Sequence, residues 1–244
     1  MVQEIDELKG VLMPWLVVFA VLFTFLLAFT IKKEQIMGYT IFLPVPAIDS
    51  LSLSLFQKIQ HDLLPRNIKI LITNPLDALL VQINVSLFFS FLISFPILLY
   101  RMVLYLSPAL HKNERKTIMI LVFPAVLLFL FGCIFSYFFL IPSTIKLFSL
   151  YLVSLNAATY FEINKFISFV LGFTLVSAVA FVLPIFMKIL SGFGITSRAF
   201  WRKNFKYVFI AIIVFSVVIA PDIVTMFILS LILIALYALG YFLS

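Results

Sequence analysis

Residues 85–142 consist of two strongly apolar runs joined by one short polar insert, Ser107-Pro-Ala-Leu-His-Lys-Asn-Glu-Arg-Lys116. Each run exceeds the roughly 20 residues that carry a helix across a bilayer core at about 1.5 Å per residue. Lipid offers backbone groups no hydrogen-bond partners, so a spanning run must satisfy its own N–H and C=O groups as a helix. The stretch predicts two membrane helices with a charged tip between them. That tip holds one carboxylate, Glu114, among Lys112, Arg115 and Lys116.

Composition extends the same reading to the whole chain. Of the 244 residues, 64% are hydrophobic and 11% charged, against roughly 45–50% and 25% in a soluble domain. The class is an all-α polytopic membrane protein, folded as one domain over residues 1–244. A net charge of +7 would suit nucleic acid, but the basic residues gather in the connections, where they orient a membrane protein. Cys133 is the one cysteine, which excludes an internal disulfide and a cysteine metal site and reads as a small packing residue. Glu4, Asp6 and Glu7 near the start leave no basic n-region, so the N-terminus does not read as a cleaved signal peptide.

Taken in order, apolar residues 11–31 form span one, with Pro14 near its start, where a missing N–H costs little. Residues 32–75 are a long mixed connection. Within it Leu51, Leu55, Ile59 and Leu63 recur at helical spacing after Asp49-Ser50, predicting a short amphipathic helix on the membrane face that Pro65 ends. Residues 68–72 read as extended, and Asn74-Pro75 as the cap of the next helix. Span two runs over 76–106, bent at Pro96, and span three over 117–141. Residues 142–164 read as a second polar connection. Span four covers 166–190, with Pro184 near its end. A basic, glycine-punctuated loop over 191–204 precedes spans 205–220 and 223–243, divided at Pro221-Asp222 because 205–243 is too long for one crossing.

Six spans follow, with the basic connections 107–116 and 191–204 on the cytoplasmic side together with both termini. Catalytic motifs are absent: no glycine-rich phosphate loop, nucleophile elbow or paired carboxylates. His61 and His111 lie apart in connections, without metal-ligand spacing. No carboxylate sits at mid-span, where a charge costs about 2.5–3.5 kcal/mol. Gln82, Asn84, Ser86, Ser90, Thr174 and Ser177 read first as hydrogen-bonding glue between helices. The informative groups are therefore on the cytoplasmic face. Glu114 either pairs within its own loop or receives a basic ligand, with Glu7 as a second acceptor; arginine suits a carboxylate because its fork offers two parallel donors.

Specific motifs carry a family resemblance. Ser94-Phe-Pro-Ile-Leu-Leu-Tyr100, Ser107-Pro-Ala-Leu110 with Glu114-Arg115, and Gly132-x-x-Phe135-x-Tyr137-Phe138-x-x-x-Pro142 resemble the central region of TatC, the multispan core of the twin-arginine translocase. Gly194-Ile-Thr-Ser197, Arg202-Lys203, Tyr207 and Ala220-Pro-Asp222 are similar to its later loop and last short hairpin, and Glu7-Leu8 to its N-terminal element. The resemblance implies a cupped arrangement of tilted helices that binds twin-arginine signal peptides. Single-span TatA/TatB-type partners, a homo-oligomeric assembly and export of folded proteins on the proton-motive force come with it, and neither a cofactor nor nucleic acid does.

By position, Glu114 and Glu7 would receive the signal arginines, supported by Tyr105 and Lys9, while Val182, Tyr137 and Asp222 would dock partner helices. The membrane would be the cytoplasmic one or an organellar equivalent. The chain departs from the family at Val11, at Val182, where many members carry a mid-membrane glutamate or glutamine, and at Phe205, which replaces a basic residue. These departures keep two other expectations open: a TatC-fold scaffold without signal-peptide recognition, and a secondary transporter for small solutes. The latter is disfavoured by the missing mid-span charge and internal repeat.

Overall fold

The computed structural model describes residues 2–36, 39–46, 50–64, 69–106, 112–154, 160–220 and 222–243. Ten helices are present among them: α1 (Val2–Ala28), α2 (Leu51–Leu63), α3 (Asp77–Leu106), α4 (Lys112–Phe135), α5 (Ile141–Ser154), α6 (Ile163–Phe181), α7 (Leu183–Gly192), α8 (Arg198–Lys203), α9 (Phe205–Ile219) and α10 (Ile223–Leu243). By length and composition, Asp77–Tyr105, Met119–Tyr151, Ile163–Gly192 and Ile223–Leu243 can each cross a membrane. The apolar stretches Leu12–Ala28 and Phe205–Ile219 are shorter.

α1 and α3 run antiparallel. Trp15 Nε1 donates to Ser94 Oγ at 3.1 Å near the middle of the pair. Gln82 Nε2 reaches the Leu27 carbonyl at 3.3 Å toward its far end. α3 and α4 pack antiparallel in turn, with Phe95 stacked on Phe129 and Val103 clustered with Ala125 and with Ile185 and Ile189 of α7. The largest core gathers residues such as Val85, Ile141, Ile167, Met187 and Leu229, from α3, α5, α6, α7 and α10.

Gly132 marks a close approach between helices. A Cβ built there would stand 2.8 Å from Ala178 Cα and 3.0 Å from Phe181 Cβ. The missing side chain is what lets α4 and α6 meet, as small residues do throughout membrane bundles.

Proline placement explains where helices continue and where they stop. The 142–164 connection expected from Pro142 is helical through Ser154, because the helix widens to a π turn over Ser136–Leu140. There the Ile141 N–H bonds back to the Ser136 carbonyl, so the extra residue absorbs the donor that Pro142 lacks. Pro184 acts the other way. The span expected over 166–190 is split at Val182, and α7 restarts with Pro184 in its first turn, where the missing N–H is tolerated. Val182 supplies the carbonyl for the new turn, accepting from Ile185 at 3.0 Å and Phe186 at 3.1 Å.

The far end of the bundle holds what the sequence left vague. Span one ends at Ala28 rather than residue 31, and the chain passes directly into an antiparallel hairpin, β1 (Phe29–Ile36) with β2 (Tyr39–Pro46). Two β-rich runs separated by Met37-Gly38 are the sequence signal for it. The expected amphipathic helix is α2, which buries Phe56, Ile59 and Leu63. Ser50 is its N-cap residue, but the hydroxyl does not cap; it meets Ser52 Oγ at 2.7 Å and takes a hydrogen bond from Gln82. Asp49 lies outside the described residues. The extended segment is β3 (Lys69–Leu71), parallel to β4 (Tyr160–Glu162). Asn74 caps α3 as expected, its Oδ1 accepting from the Leu76 N–H at 3.0 Å while Asp77 Oδ2 accepts from Asn74 N–H at 2.9 Å.

The expected polar glue divides in three, the Ser86 and Ser177 hydroxyls being buried with no partner among the described residues. Gln82 ties α3 to α1, and Asn84 ties α3 to Asn164 and Ser168 of α6 at 3.2 and 3.4 Å. Ser90 and Thr174 instead bond to carbonyls of their own helices, Ser86 and Val170. Thr144 and Thr225, which the sequence did not single out, form a fully buried cross-helix pair at 2.9 Å.

Candidate functional site

The antiparallel order of α1, α3 and α4 puts the start of α1, the end of α3 and the start of α4 at one end of the bundle. These are the elements that carry Glu7, Lys9, Tyr105 and Glu114. Lys9 is exposed and Tyr105 half-buried in the last turn of α3. Glu7 sits in the second turn of α1 and Glu114 in the first turn of α4 by backbone; their side chains lie outside the described residues. A carboxylate in the first turn of a helix is favoured by the partial positive charge there.

The same end is closed by the last connection. Gly194, at φ +69°, takes the left-handed conformation that ends α7. α8 follows, with Ser197 Oγ accepting from the Phe200 N–H at 3.2 Å. Arg198 lies over the Tyr241 ring at 5.1 Å and donates to the Tyr241 and Phe242 carbonyls, each at 3.2 Å. It thereby caps the C-terminus of α10 and holds that helix end at the face where α1 begins. Tyr237 reinforces the join, donating to the Trp201 carbonyl at 2.8 Å.

The three residues expected to dock partner helices occupy three separate places. Val182 lies half-buried at the break between α6 and α7, on the wall of an apolar cavity of about 550 Å³. Phe95 and Leu99 of α3, Phe186 of α7, and Val208 and Phe215 of α9 complete that wall. Tyr137 stands in the π turn and donates to Asp62 Oδ2 of α2 at 3.0 Å. Sequence reasoning did not single out Asp62; its signal is the Lys58-x-x-x-Asp62 pair on the exposed face of an amphipathic helix.

Asp222 is the N-cap of α10, accepting from the Thr225 N–H at 2.7 Å through Oδ2, while Oδ1 is buried with no partner among the described residues. Replacing Asp222 with alanine should cost about 1 kcal/mol, a typical N-cap loss. In a chain of this size that lowers the thermal midpoint by about 2–4 °C. Thermal unfolding of the purified protein in detergent measures it, and an asparagine at the same position, which caps equally well, should restore the midpoint.

No group of three or more metal-binding side chains exists among the described residues.

Comparison with known proteins converges on one family. The family model described as Sec-independent protein translocase protein (TatC) matches residues 3–231. The Sec-independent protein translocase protein TatC of Cenarchaeum symbiosum (strain A) is 29% identical over 243 residues, covering 98% of this chain and 92% of its own. The protein of the same name from Aquifex aeolicus (strain VF5) is 30% identical over 178 residues, covering 72% and 74%. A crystal structure of a twin arginine translocase receptor, TatC in DDM, superposes with a TM-score of 0.76 over 99% of this chain and 98% of that one, at 24% identity. The chain, a multi-pass membrane protein by its helices, belongs to the TatC family of Sec-independent protein translocase proteins.

Proposed function

We propose that this protein is the receptor core of a twin-arginine translocase and binds Arg-Arg signal peptides at the end of the bundle where α1 begins, α3 ends and α4 begins. The observation that carries the reading is that convergence, because it brings the segments bearing Glu7 and Glu114 to one face with Tyr105 beside them. In this reading the face is cytoplasmic, both termini lie on it, and the chain crosses the cytoplasmic or an equivalent organellar membrane six times. Glu114 takes the two guanidinium groups with help from Glu7. Folded cargo then crosses with single-span TatA/TatB-type subunits and further copies of this chain, driven by the proton-motive force.

Val182 shapes how partners would dock. The cavity at the α6–α7 break has an apolar wall where many relatives of this pattern place a carboxylate or amide. A partner helix would be held there by packing rather than by a hydrogen bond. Polar contacts between membrane helices average about 0.6 kcal/mol, so packing can substitute for one at little cost.

Photo-crosslinking of a signal peptide to the protein in membranes tests the assignment. Arg-Arg peptide should label this chain strongly and a Lys-Lys peptide weakly, because an ammonium cannot present the paired donors of a guanidinium. Equal labelling of both, or of neither, would instead make the chain a scaffold of the same fold.

A further inference from the structure

The amphipathic helix α2 roofs a second cavity that the receptor reading does not use. It encloses about 320 Å³ between α2, α3, α6 and the end of α4. Phe88, Leu92, Cys133, Ile134, Phe138 and Thr174 are among its walls. Ile134 and Phe138 are exposed on the outer surface of a membrane-crossing helix, so the cavity opens sideways toward lipid tails rather than upward into water.

Its walls and its mouth differ in chemistry. In the depth the polar atoms are already committed: Thr174 Oγ1 donates to the Val170 carbonyl at 2.7 Å, and the rest of the lining there is apolar apart from the Cys133 thiol, a weak donor. Such a slot has nothing to offer a polar solute. Nor does it fit a partner helix. A helix with its side chains is about 10–12 Å across, so 320 Å³ would hold less than one turn of it. An extended alkyl chain matches the chemistry of the lining.

The mouth carries two opposite charges one helical turn apart. Lys58 and Asp62 are exposed on α2, and both line the cavity. Among the described residues no carboxylate lies within ion-pair distance of the Lys58 ammonium. Asp62 accepts from Tyr137 through Oδ2, with His61 Nδ1 at 3.6 Å from Oδ1. A carboxylate offers about four acceptor sites, so it keeps capacity for a further donor. The Tyr137 contact depends on the π turn at Ser136–Leu140, and such turns occur frequently at functional sites.

We propose that this slot binds one zwitterionic glycerophospholipid with a primary amine. Its phosphate would rest on Lys58, its amine on Asp62 and one acyl chain along Phe88 and Leu92. The paired charges select among headgroups. An anionic glycerol headgroup would satisfy Lys58 but offer Asp62 only neutral hydroxyls. A choline headgroup carries positive charge but no N–H to donate. Of the three, only the primary amine brings a positive charge and N–H donors together to the carboxylate.

The full chain, purified in detergent and stripped of lipid, is incubated with phosphatidylethanolamine, phosphatidylcholine or phosphatidylglycerol of identical acyl chains and read by native mass spectrometry. One phosphatidylethanolamine should be retained per chain, about tenfold or more over the other two, as the loss of one charge-assisted hydrogen bond implies. Cys133, on the cavity wall and the one cysteine of the chain, reports occupancy: bound phosphatidylethanolamine should slow its alkylation by N-ethylmaleimide several-fold. Lys58→Glu, which sets a carboxylate against the phosphate, should remove both retention of the lipid and the protection, whereas Lys58→Arg should keep them. Lys58 is exposed, so an unchanged thermal midpoint shows that either variant has folded. Equal retention of the three lipids, undiminished retention in Lys58→Glu, or unaltered Cys133 labelling would each overturn the assignment.

Discussion

Gly132→Val should lower the thermal midpoint sharply, well beyond the effect of alanine at the same position. The Cβ it introduces would meet the Ala178 Cα at 2.8 Å and the Phe181 side chain at 3.0 Å. The first of these is a backbone atom of a fully buried residue, so it cannot swing aside as the tip of a long side chain would. Relief requires α4 and α6 to separate, and they are joined through a core in which Cys133, Phe129 and Ala178 pack together. Overpacking by a few methyl groups typically costs about 1–3 kcal/mol, a large share of the total stability of about 5–15 kcal/mol of a folded domain. The two extra methyl groups of valine deepen the clash, while Gly132→Ala should give a folded but weakened protein. Gly172→Ala is the internal control: beyond its chain neighbours and its own helix backbone, nothing lies within 4 Å of the place its methyl group would take, so the same substitution should be neutral or slightly stabilising, as alanine is preferred over glycine in a helix. Size-exclusion profiles and thermal midpoints in detergent measure all three variants. A Gly132→Val protein that elutes and melts like the parent would show that α4 and α6 do not meet at this point.

Glu114→Ala should abolish the preference for Arg-Arg over Lys-Lys signal peptides while lowering the thermal midpoint only slightly, by the small helix-end contribution of one carboxylate. Two charged hydrogen bonds from a guanidinium fork, at about 1.5–3 kcal/mol each, amount to at least about 3 kcal/mol. At 1.4 kcal/mol per decade that is about a hundredfold in affinity. Glu114→Gln keeps the size and one acceptor oxygen but loses the charge, and should fall between the two, about tenfold weaker than the parent. Glu7→Ala should cost less than Glu114→Ala, because its role is to assist. The readout is crosslink yield against peptide concentration, with each variant checked for folding. Undiminished Arg-Arg labelling in Glu114→Ala would remove the loop carboxylate from recognition and point to the backbone and aromatic groups near Tyr105.

The two predictions draw on different kinds of information. The proposal for Glu114 comes from the chain alone: a lone carboxylate among cations, at the tip of a polar insert between two spans, inside a motif of recognisable spacing. Gly132 was legible only as a letter in that motif. Its physical reason, a backbone-to-backbone approach to Ala178, needs both helices in place. The same holds for Asp222, which reads as a turn residue and proves to be the cap of α10. It holds again for Tyr137, whose partner Asp62 is 75 positions away. Nothing local connects such residues, because a membrane helix's apolar pattern says that it crosses but not which neighbour it meets.

Proline shows where local reading reaches its limit. Pro96, Pro142 and Pro184 look alike in sequence, each removing one donor from an apolar run. The structure keeps α3 continuous past Pro96, carries the helix past Pro142 through a π turn, and restarts the chain as α7 at Pro184. The outcome depends on whether neighbouring helices hold the freed carbonyls in a satisfied geometry, and sequence does not encode that neighbourhood locally.

By itself, then, the sequence determined that the chain lives in a bilayer, where α2, α3, α9 and α10 begin to within a residue, and which end carries its charge; it set the start of α1 nine residues late and read α5 as a connection. Those properties follow from transfer of apolar surface and from backbone self-satisfaction, and both act residue by residue. Tertiary structure alone decided that Gly132 touches Ala178, that α2 roofs a slot with Lys58 and Asp62 at its mouth, and that Val182 faces an apolar cavity. Between helices in lipid, close packing and a few hydrogen bonds set the neighbours, and these exist only once two surfaces are brought together.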